Sequence, residues 1–252
     1  MKYTKYHALG NDYIVLDPKN FQNAPSEDVI KLICHRNYGI GSDGILYGPF
    51  KENDYDFNLR IFNPDGGEAE KSGNGLRIFS RYLWDKGLVD KNPFKINTKG
   101  GAVLSQIHEN GKMITVEMGT ASFNKNIIPV KCDSEEVINQ SLKILDKEFI
   151  FCAATIGNPH CVIVCDDISV EETIRYGSLI EHNEIFPNRT NVQFMKIIDR
   201  NNIQIEIWER GAGYTLASGS SSSASGAIAK RLGLCDNKID VHMPGGIINL
   251  TV

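Results

Sequence analysis

The 252-residue chain has no apolar run approaching the roughly 18–20 residues that a bilayer crossing needs, so no membrane-spanning helix is expected. Its start, MKYTKYHALGND, lacks the apolar centre of a secretion signal, which points to the cytoplasm. A basic excess is also missing: the net charge of −4 argues against a nucleic-acid partner. Cys34, Cys132, Cys152, Cys161, Cys165 and Cys235 form no CxxC pair and mostly sit in apolar strand patterns. They read as reduced core residues rather than zinc ligands or disulfides. Neither Ser72 nor Ser218 lies in a G-x-S-x-G elbow, which removes a serine hydrolase using His160. The SGNG and GAG stretches complete neither G-x-G-x-x-G nor a P-loop with its lysine, which removes a nucleotide-binding loop. No low-complexity linker breaks the chain. With 41% hydrophobic and 23% charged residues, it reads as a soluble globular protein with room for one large or two modest domains.

What the chain does have is a repeat. Residues 60–88, RIFNPDGGEAEKSGNGLRIFSRYLWDKGL, align without a gap on residues 206–234, EIWERGAGYTLASGSSSSASGAIAKRLGL, at an offset of 146. Ile61 meets Ile207, Gly67 meets Gly213, Ser72-Gly73 meets Ser218-Gly219 and Gly87-Leu88 meets Gly233-Leu234. In each copy apolar residues alternate before the glycines: Phe57, Leu59 and Ile61 in one, Ile203, Ile205 and Ile207 in the other. That is a half-buried strand. Leu76, Phe79, Tyr82 and Leu83 then fall at helical spacing, and Gly87 is a natural stop; Ala224, Ala227, Ile228 and Leu232 line the second helix. Gly73-Asn74-Gly75 and Gly219-Ser220 would open those helices, where free N–H groups attract a carboxylate or phosphate. Two such ends facing each other across a cleft would hold a small anion.

The repeat reaches further. At an offset of 147, Gly10-Asn11 meets Gly157-Asn158, Val15 meets Val162 and Gly44 meets Asn191; at 146, Asn63 meets Glu209. A polar cleft is expected from Asn11, Asn63, Asn158 and Asn191, with His160 and Arg210 close by in sequence. Elsewhere, strands are expected at 13–16, 45–47, 94–98, 102–107, 113–118, 149–155, 161–165, 192–197 and 203–208. Helices are expected at 26–36, 135–145 and, from the capping box Ser169-x-x-Glu172, to about Arg175. Asn110-Gly111 marks a turn, and the first lobe should end near Gly119. The expected chain is strand-rich with one long helix per lobe.

The phrases HALGNDYIV (7–15), YGIGSDGIL (38–46), FNPDGGEAEKSGNGLR (62–77), GNPHCV (157–162), PNRTNV (187–192) and WERGAGYTLASGS (208–220) resemble the diaminopimelate epimerase family. These are amino-acid epimerases that use no pyridoxal phosphate. The resemblance implies an α+β fold of two pseudo-two-fold-related lobes, each a strand barrel around a central helix, here residues 1–119 and 120–252. It implies a thiolate that takes the Cα proton from one face and a thiol that returns one from the other. It needs no cofactor and no metal. The implied partner is a small-molecule amino acid, and a homodimer is left open.

The two thiols of the resembled family precede the glycine of each helix start, and here those positions are Ser72 and Ser218. A serine hydroxyl ionises far less readily than a thiol, so the chain as written is expected to be inactive. The readings are engineered inactivation or a natural, non-catalytic amino-acid-binding relative. By position, the substrate carboxylate falls to Gly73-Asn74 and Gly219-Ser220, and tuning of the proton-transfer groups to His160 and Glu209. The distal substrate falls to Asn11, Asn63, Asn158, Asn191 and Arg210. The family usually has Gln at the position of Gly44 and Thr at that of Ser220, and runs on for another pair of strands after a segment like Met243-Pro244-Gly245-Gly246. Loss of the amide at Gly44 is expected to open space for a compact ring such as imidazole. The candidate substrates are therefore diaminopimelate and a single-headed amino acid such as histidine.

Overall fold

In the computed structural model, which describes residues 2–21, 23–51 and 55–252, each copy of the repeat becomes a strand, a short return strand and a 13-residue helix. The chain divides into two units, Met1–Met118 and Gly119–Val252. The first runs β1 (Thr4–Ala8), β2 (Asn11–Leu16), α1 (Glu27–Cys34), β3 (Ile45–Phe50), β4 (Phe57–Phe62), β5 (Glu68–Ala69), α2 (Gly73–Asp85), β6 (Phe94–Thr98), β7 (Gly101–His108) and β8 (Met113–Val116). The second runs β9 (Gln140–Ile144), β10 (Lys147–Thr155), β11 (Pro159–Val164), α3 (Val170–Glu181), β12 (Asn191–Asp199), β13 (Asn202–Glu209), β14 (Gly213–Thr215), α4 (Gly219–Arg231), β15 (Lys238–Met243) and β16 (Gly246–Thr251).

The first sheet has the order β1-β2-β3-β4-β6-β7-β8, and the second β16-β15-β13-β12-β11-β10-β9. Laying β1 on β10 and continuing to β7 on β16 preserves every pairing. β2–β3 and β4–β6 are parallel, as are β11–β12 and β13–β15. Register follows too: Ile14 opposes Ile45 as Cys161 opposes Val192, and Ile61 opposes Ala69 as Ile207 opposes Thr215. Only β8 and β9 have no counterpart.

Each sheet curls around its helix. α2 touches β1 and β2 at one end of the strand order and β7 and β8 at the other. In a flat sheet those ends would lie roughly 29 Å apart, against a helix about 10–12 Å across. α4 likewise touches strands from β10 to β16. Leu76, Ile78, Phe79 and Leu83 are buried inside the first sheet, each contributing about 1.5–3 kcal/mol. Ser80 hydrogen-bonds Ser105 on β7 at 2.7 Å, whereas its counterpart Gly226 leaves room for Leu250 of β16: a Cβ there would lie 2.2 Å from Leu250 Cδ2.

Both helices close in the same way. Gly87 and Gly233 take φ of 64° and 72°, and the next amides, Leu88 and Leu234, return to the carbonyls of Leu83 and Ala229 at 2.9 Å. This is the left-handed cap that glycine permits.

The expected helix at 135–145 is not formed. Val137 is tied to Phe123 and Ala153 by its backbone, and β9 follows, with Leu142 and Ile144 buried between exposed Ser141 and Lys143. Asn139 and Leu145, at φ of 51° and 55°, interrupt any helix. The helix from Ser169 runs on to Glu181, because Tyr176, Gly177 and Ile180 continue its buried face. Gly177 is there a contact rather than a stop, since a Cβ would meet Trp208 Cγ at 2.5 Å. The second unit thus has two long helices, not one. All six cysteines are free, and no described helix is long and apolar enough to cross a membrane.

Phe79→Ala should lower stability by about 3–5 kcal/mol, read as a fall in the urea midpoint. The exposed Ile127→Ala should stay within about 0.5 kcal/mol.

Candidate active site

Ser72 and Ser218 are the N-caps of α2 and α4. Both have extended backbone, and their hydroxyl oxygens accept the amides of Gly75 and Ser221 at 3.0 and 3.4 Å. An α-helix leaves its first four N–H groups without partners inside the helix, so those of Gly73, Asn74, Gly219 and Ser220 are directed beyond the helix ends. The caps and these amides form one small polar spot per unit, next to the positive end of a helix dipole.

In the first unit, Asn11 begins β2 and reaches the helix start: Asn74 Nδ2 donates to Asn11 Oδ1 at 3.1 Å. The half-buried Arg77 donates to Asn74 Oδ1, and burial lowers the Arg77 pKa from its ordinary value. Asn11 is held in turn by Asp43 at 2.9 Å, within a cluster of Asp12, Asp43, Arg36 and Lys5. Burial pulls the Asp12 carboxyl upward, but side-chain hydrogen bonds with Arg36, Lys5 and Asp43 outweigh it, and its pKa falls to about 2. Asn63 follows β4, where its backbone closes the turn to Gly66 and Gly67.

Gly44 does not leave space. A Cβ there would lie 2.6 Å from both the Phe62 oxygen and Tyr13 Cε1, because the Tyr13 ring fills the room. Tyr13 is 6% exposed, and its hydroxyl lies 3.1 Å from Ser72 Oγ. The imidazole-sized gap expected from the sequence is thus occupied by the chain's own ring.

In the second unit, Asn158 Nδ2 donates to Ser220 Oγ at 3.5 Å, the counterpart of the Asn11–Asn74 pair. His160 Nε2 donates to Asn158 Oδ1 at 3.0 Å, and Ser220 Oγ lies 3.3 Å from Ser218 Oγ. A line of hydrogen bonds therefore runs from His160 to Ser218 through Asn158 and Ser220. Burial drives the His160 pKa down to about 3, against an upward pull from Gln193. Its Nδ1 has no partner among the described residues.

Asn191 is fully engaged in building the loop around the site. Its amide donates to the Pro159 oxygen at 2.8 Å and accepts from the Arg210 amide at 3.0 Å. The Arg210 guanidinium donates to the Asn188 oxygen at 3.2 Å, and Glu209 accepts from Thr215 at 3.4 Å. Behind this loop sits the buried Glu181 carboxylate, 2% exposed. It accepts from Trp208 Nε1, the Gly211 amide and Arg189 at 2.8, 3.0 and 3.2 Å. Sequence reasoning missed Glu181, Gln193 and Tyr13. Only Tyr13 carried a signal, since the offset of 147 lays it on His160. Among the described residues, no cluster of His, Cys, Asp and Glu could hold a metal ion.

Solved structures share this architecture. A probable proline racemase from Agrobacterium radiobacter superposes with a TM-score of 0.73 at 13% identity, over 97% of this chain and 82% of that one. A hydroxyproline epimerase from Agrobacterium vitis gives 0.71 at 13% identity, over 97% and 81%. At this identity the likeness is one of fold. The family model described as "Diaminopimelate epimerase" matches residues 3–124 and 152–252, leaving out the stretch that contains β9, the strand with no counterpart in the first unit. Diaminopimelate epimerase 2 of a Nostoc species is 62% identical over all of this chain and 88% of its own length. The diaminopimelate epimerase of Methanocaldococcus jannaschii is 38% identical over 100% and 92%. The chain belongs to the diaminopimelate epimerase family and is an isomerase of the epimerase and racemase class.

The buried imidazole gives a pH signature. Unfolded, His160 takes a proton near pH 6.5; folded, it stays neutral down to about 3. Its contribution to stability is complete above about 6.5 and is lost as pH falls toward 3, at about 1.4 kcal/mol per unit. Urea unfolding at pH 7 and pH 5 should differ by roughly 2 kcal/mol more in the unaltered chain than in His160→Gln.

Proposed function

We propose that this chain is built to invert the Cα configuration of an amino acid without a cofactor, and that its Ser72/Ser218 form binds substrate without turning it over. The observation that carries this reading is the twin helix start: two equivalent caps, each beside outward-directed amides and a polar pair, Asn11–Asn74 or Asn158–Ser220. Inversion needs one group to remove the Cα proton from one face and another to deliver a proton to the opposite face, and the chain has two equivalent positions for the task. The amides of Gly73, Asn74, Gly219 and Ser220 would stabilise the substrate carboxylate and the negative charge that develops as the proton leaves. A thiol, with an ordinary pKa of about 8.5 and lower at a helix N-terminus, suits the cap position. A serine hydroxyl does not. In this reading His160 and Glu209 tune the proton-transfer groups, His160 by way of Asn158 and Ser220. Asn63 and Arg210 meet the distal part of the substrate, and Asn191 acts by fixing the Arg210 backbone.

The relatives' names favour diaminopimelate, whose second amino-acid head Arg210 and the asparagines would clamp. A single-headed amino acid, histidine among the candidates, is favoured only by the lack at Gly44 of a side chain to meet a second head, since the room beside it is taken by Tyr13. A third reading, an amino-acid-binding protein without catalysis, is favoured by the two serines as they stand.

Ser72→Cys combined with Ser218→Cys should give racemase or epimerase activity with no added cofactor and incorporate deuterium at Cα in deuterated water. Either change alone should be far weaker. No exchange across a broad amino-acid panel would exclude the enzyme reading and leave a binding protein. Competition binding to the unaltered chain should separate the substrates. Binding of diaminopimelate at least tenfold tighter than histidine and other single-headed amino acids removes the second reading, and the reverse order removes the first.

A further inference from the structure

We propose that the Tyr13 phenol is the direct hydrogen-bond donor to the proton-transfer group at position 72, and that Gly44 is the residue that lets its ring reach it. The inference rests on the proposed function for the identity of that group. Asn11 and Tyr13 are two apart on β2 and point the same way. Asn11 meets Asn74 on the first turn of α2, and Tyr13 meets the cap itself, at 3.1 Å from Ser72 Oγ. Ser72 Oγ already accepts the Gly75 amide at 3.0 Å, so an anion at this place would receive one N–H and one O–H. A phenol with an ordinary pKa near 10 keeps its proton at neutral pH and donates to such an anion. Hydrogen bonds to the charged form favour it, so the phenol makes residue 72 easier to ionise.

The ring has no freedom to leave. Gly44 backs it at a distance no side chain would allow, and the Gly44 carbonyl is pinned by the Ile14 amide at 3.1 Å and Ser42 Oγ at 2.9 Å. The second unit differs at the same place. The ladder puts His160, opposite Asn191, where the first unit has Tyr13 and Gly44. His160 reaches its cap only through Asn158 and Ser220. The two caps therefore receive unlike partners, a phenol directly on Ser72 and a serine hydroxyl on Ser218.

The test reads the thiol introduced by Ser72→Cys in the full chain, by peptide-resolved iodoacetamide labelling as a function of pH. Adding Tyr13→Phe, which keeps the ring, should raise the thiol's apparent pKa by about one unit and slow labelling about tenfold at pH values below it. Gly44→Ala keeps the hydroxyl but intrudes on the ring, and should shift the pKa in the same direction. In the doubly thiol-restored chain, Tyr13→Phe should lower kcat about tenfold with KM little changed and move the corresponding limb of the pH profile. An unchanged labelling midpoint in Tyr13→Phe would overturn the proposal even if Cα exchange is present. A shifted midpoint with no exchange in the thiol-restored chain would keep the Tyr13 hydrogen bond and reject the proposed function.

Discussion

A helix enclosed by a curled sheet has apolar walls on nearly every side, so its backbone ends become the places where polar chemistry can occur. In both units the C-terminal end is closed by a left-handed glycine, Gly87 or Gly233, whose following amide returns to the last turn. The N-terminal end cannot be closed in that way, because its orphan groups are donors. One hydroxyl, on Ser72 or Ser218, takes a single amide and leaves its neighbours directed outward. The need to cap a buried helix thus places a hydroxyl-bearing side chain beside a set of backbone amides.

The same frame carries different chemistry in its two copies. On β4 and β5 the pair across the ladder is the ion pair Arg60–Glu68 at 2.9 Å. At the equivalent place on β13 and β14 it is Glu206 accepting from Tyr214 at 2.6 Å, which, with burial, raises the Tyr214 pKa above its ordinary value. Ser80 on α2 hydrogen-bonds the sheet, while Gly226 on α4 admits a leucine. The pairing frame is kept while side chains diverge, and the divergence of Tyr13 from His160 touches the site itself.

The parts of this arrangement that were legible in the sequence are those where backbone geometry restricts residue choice. Caps need Ser, left-handed stops need Gly, and alternating isoleucines need a strand, so the offset of 146 could be read directly. The pairings Asn11–Asn74 and Asn158–Ser220 could not be read, since they span 63 and 62 residues and depend on the curl. The sheet segment at 135–145 was misread because Val137, Leu142 and Ile144 are spaced loosely enough to fit a helix; the long-range bonds of Val137, the pairing of β9 with β10 and the left-handed backbone at Asn139 and Leu145 decide against it. Gly44 looked like a lost side chain. It is a close approach, visible only once Tyr13 is packed against it.

The offset itself is not constant. Phe62 pairs with Ile45 and Trp208 with Val192, so the first unit has one residue more between those partners than the second. Each ladder has an irregularity there, between Tyr47 and Phe50 and between Ile197 and Asp199. Both lie at the far end of the strands from Asn11, Gly44, Asn63 and the helix caps. Each unit therefore has a conservative pole, where a one-residue slip would misplace the reactive groups, and a permissive pole that has absorbed a change of length. Divergence after duplication could thus proceed by insertion and deletion at one end of the strands while the chemistry at the other end kept its spacing.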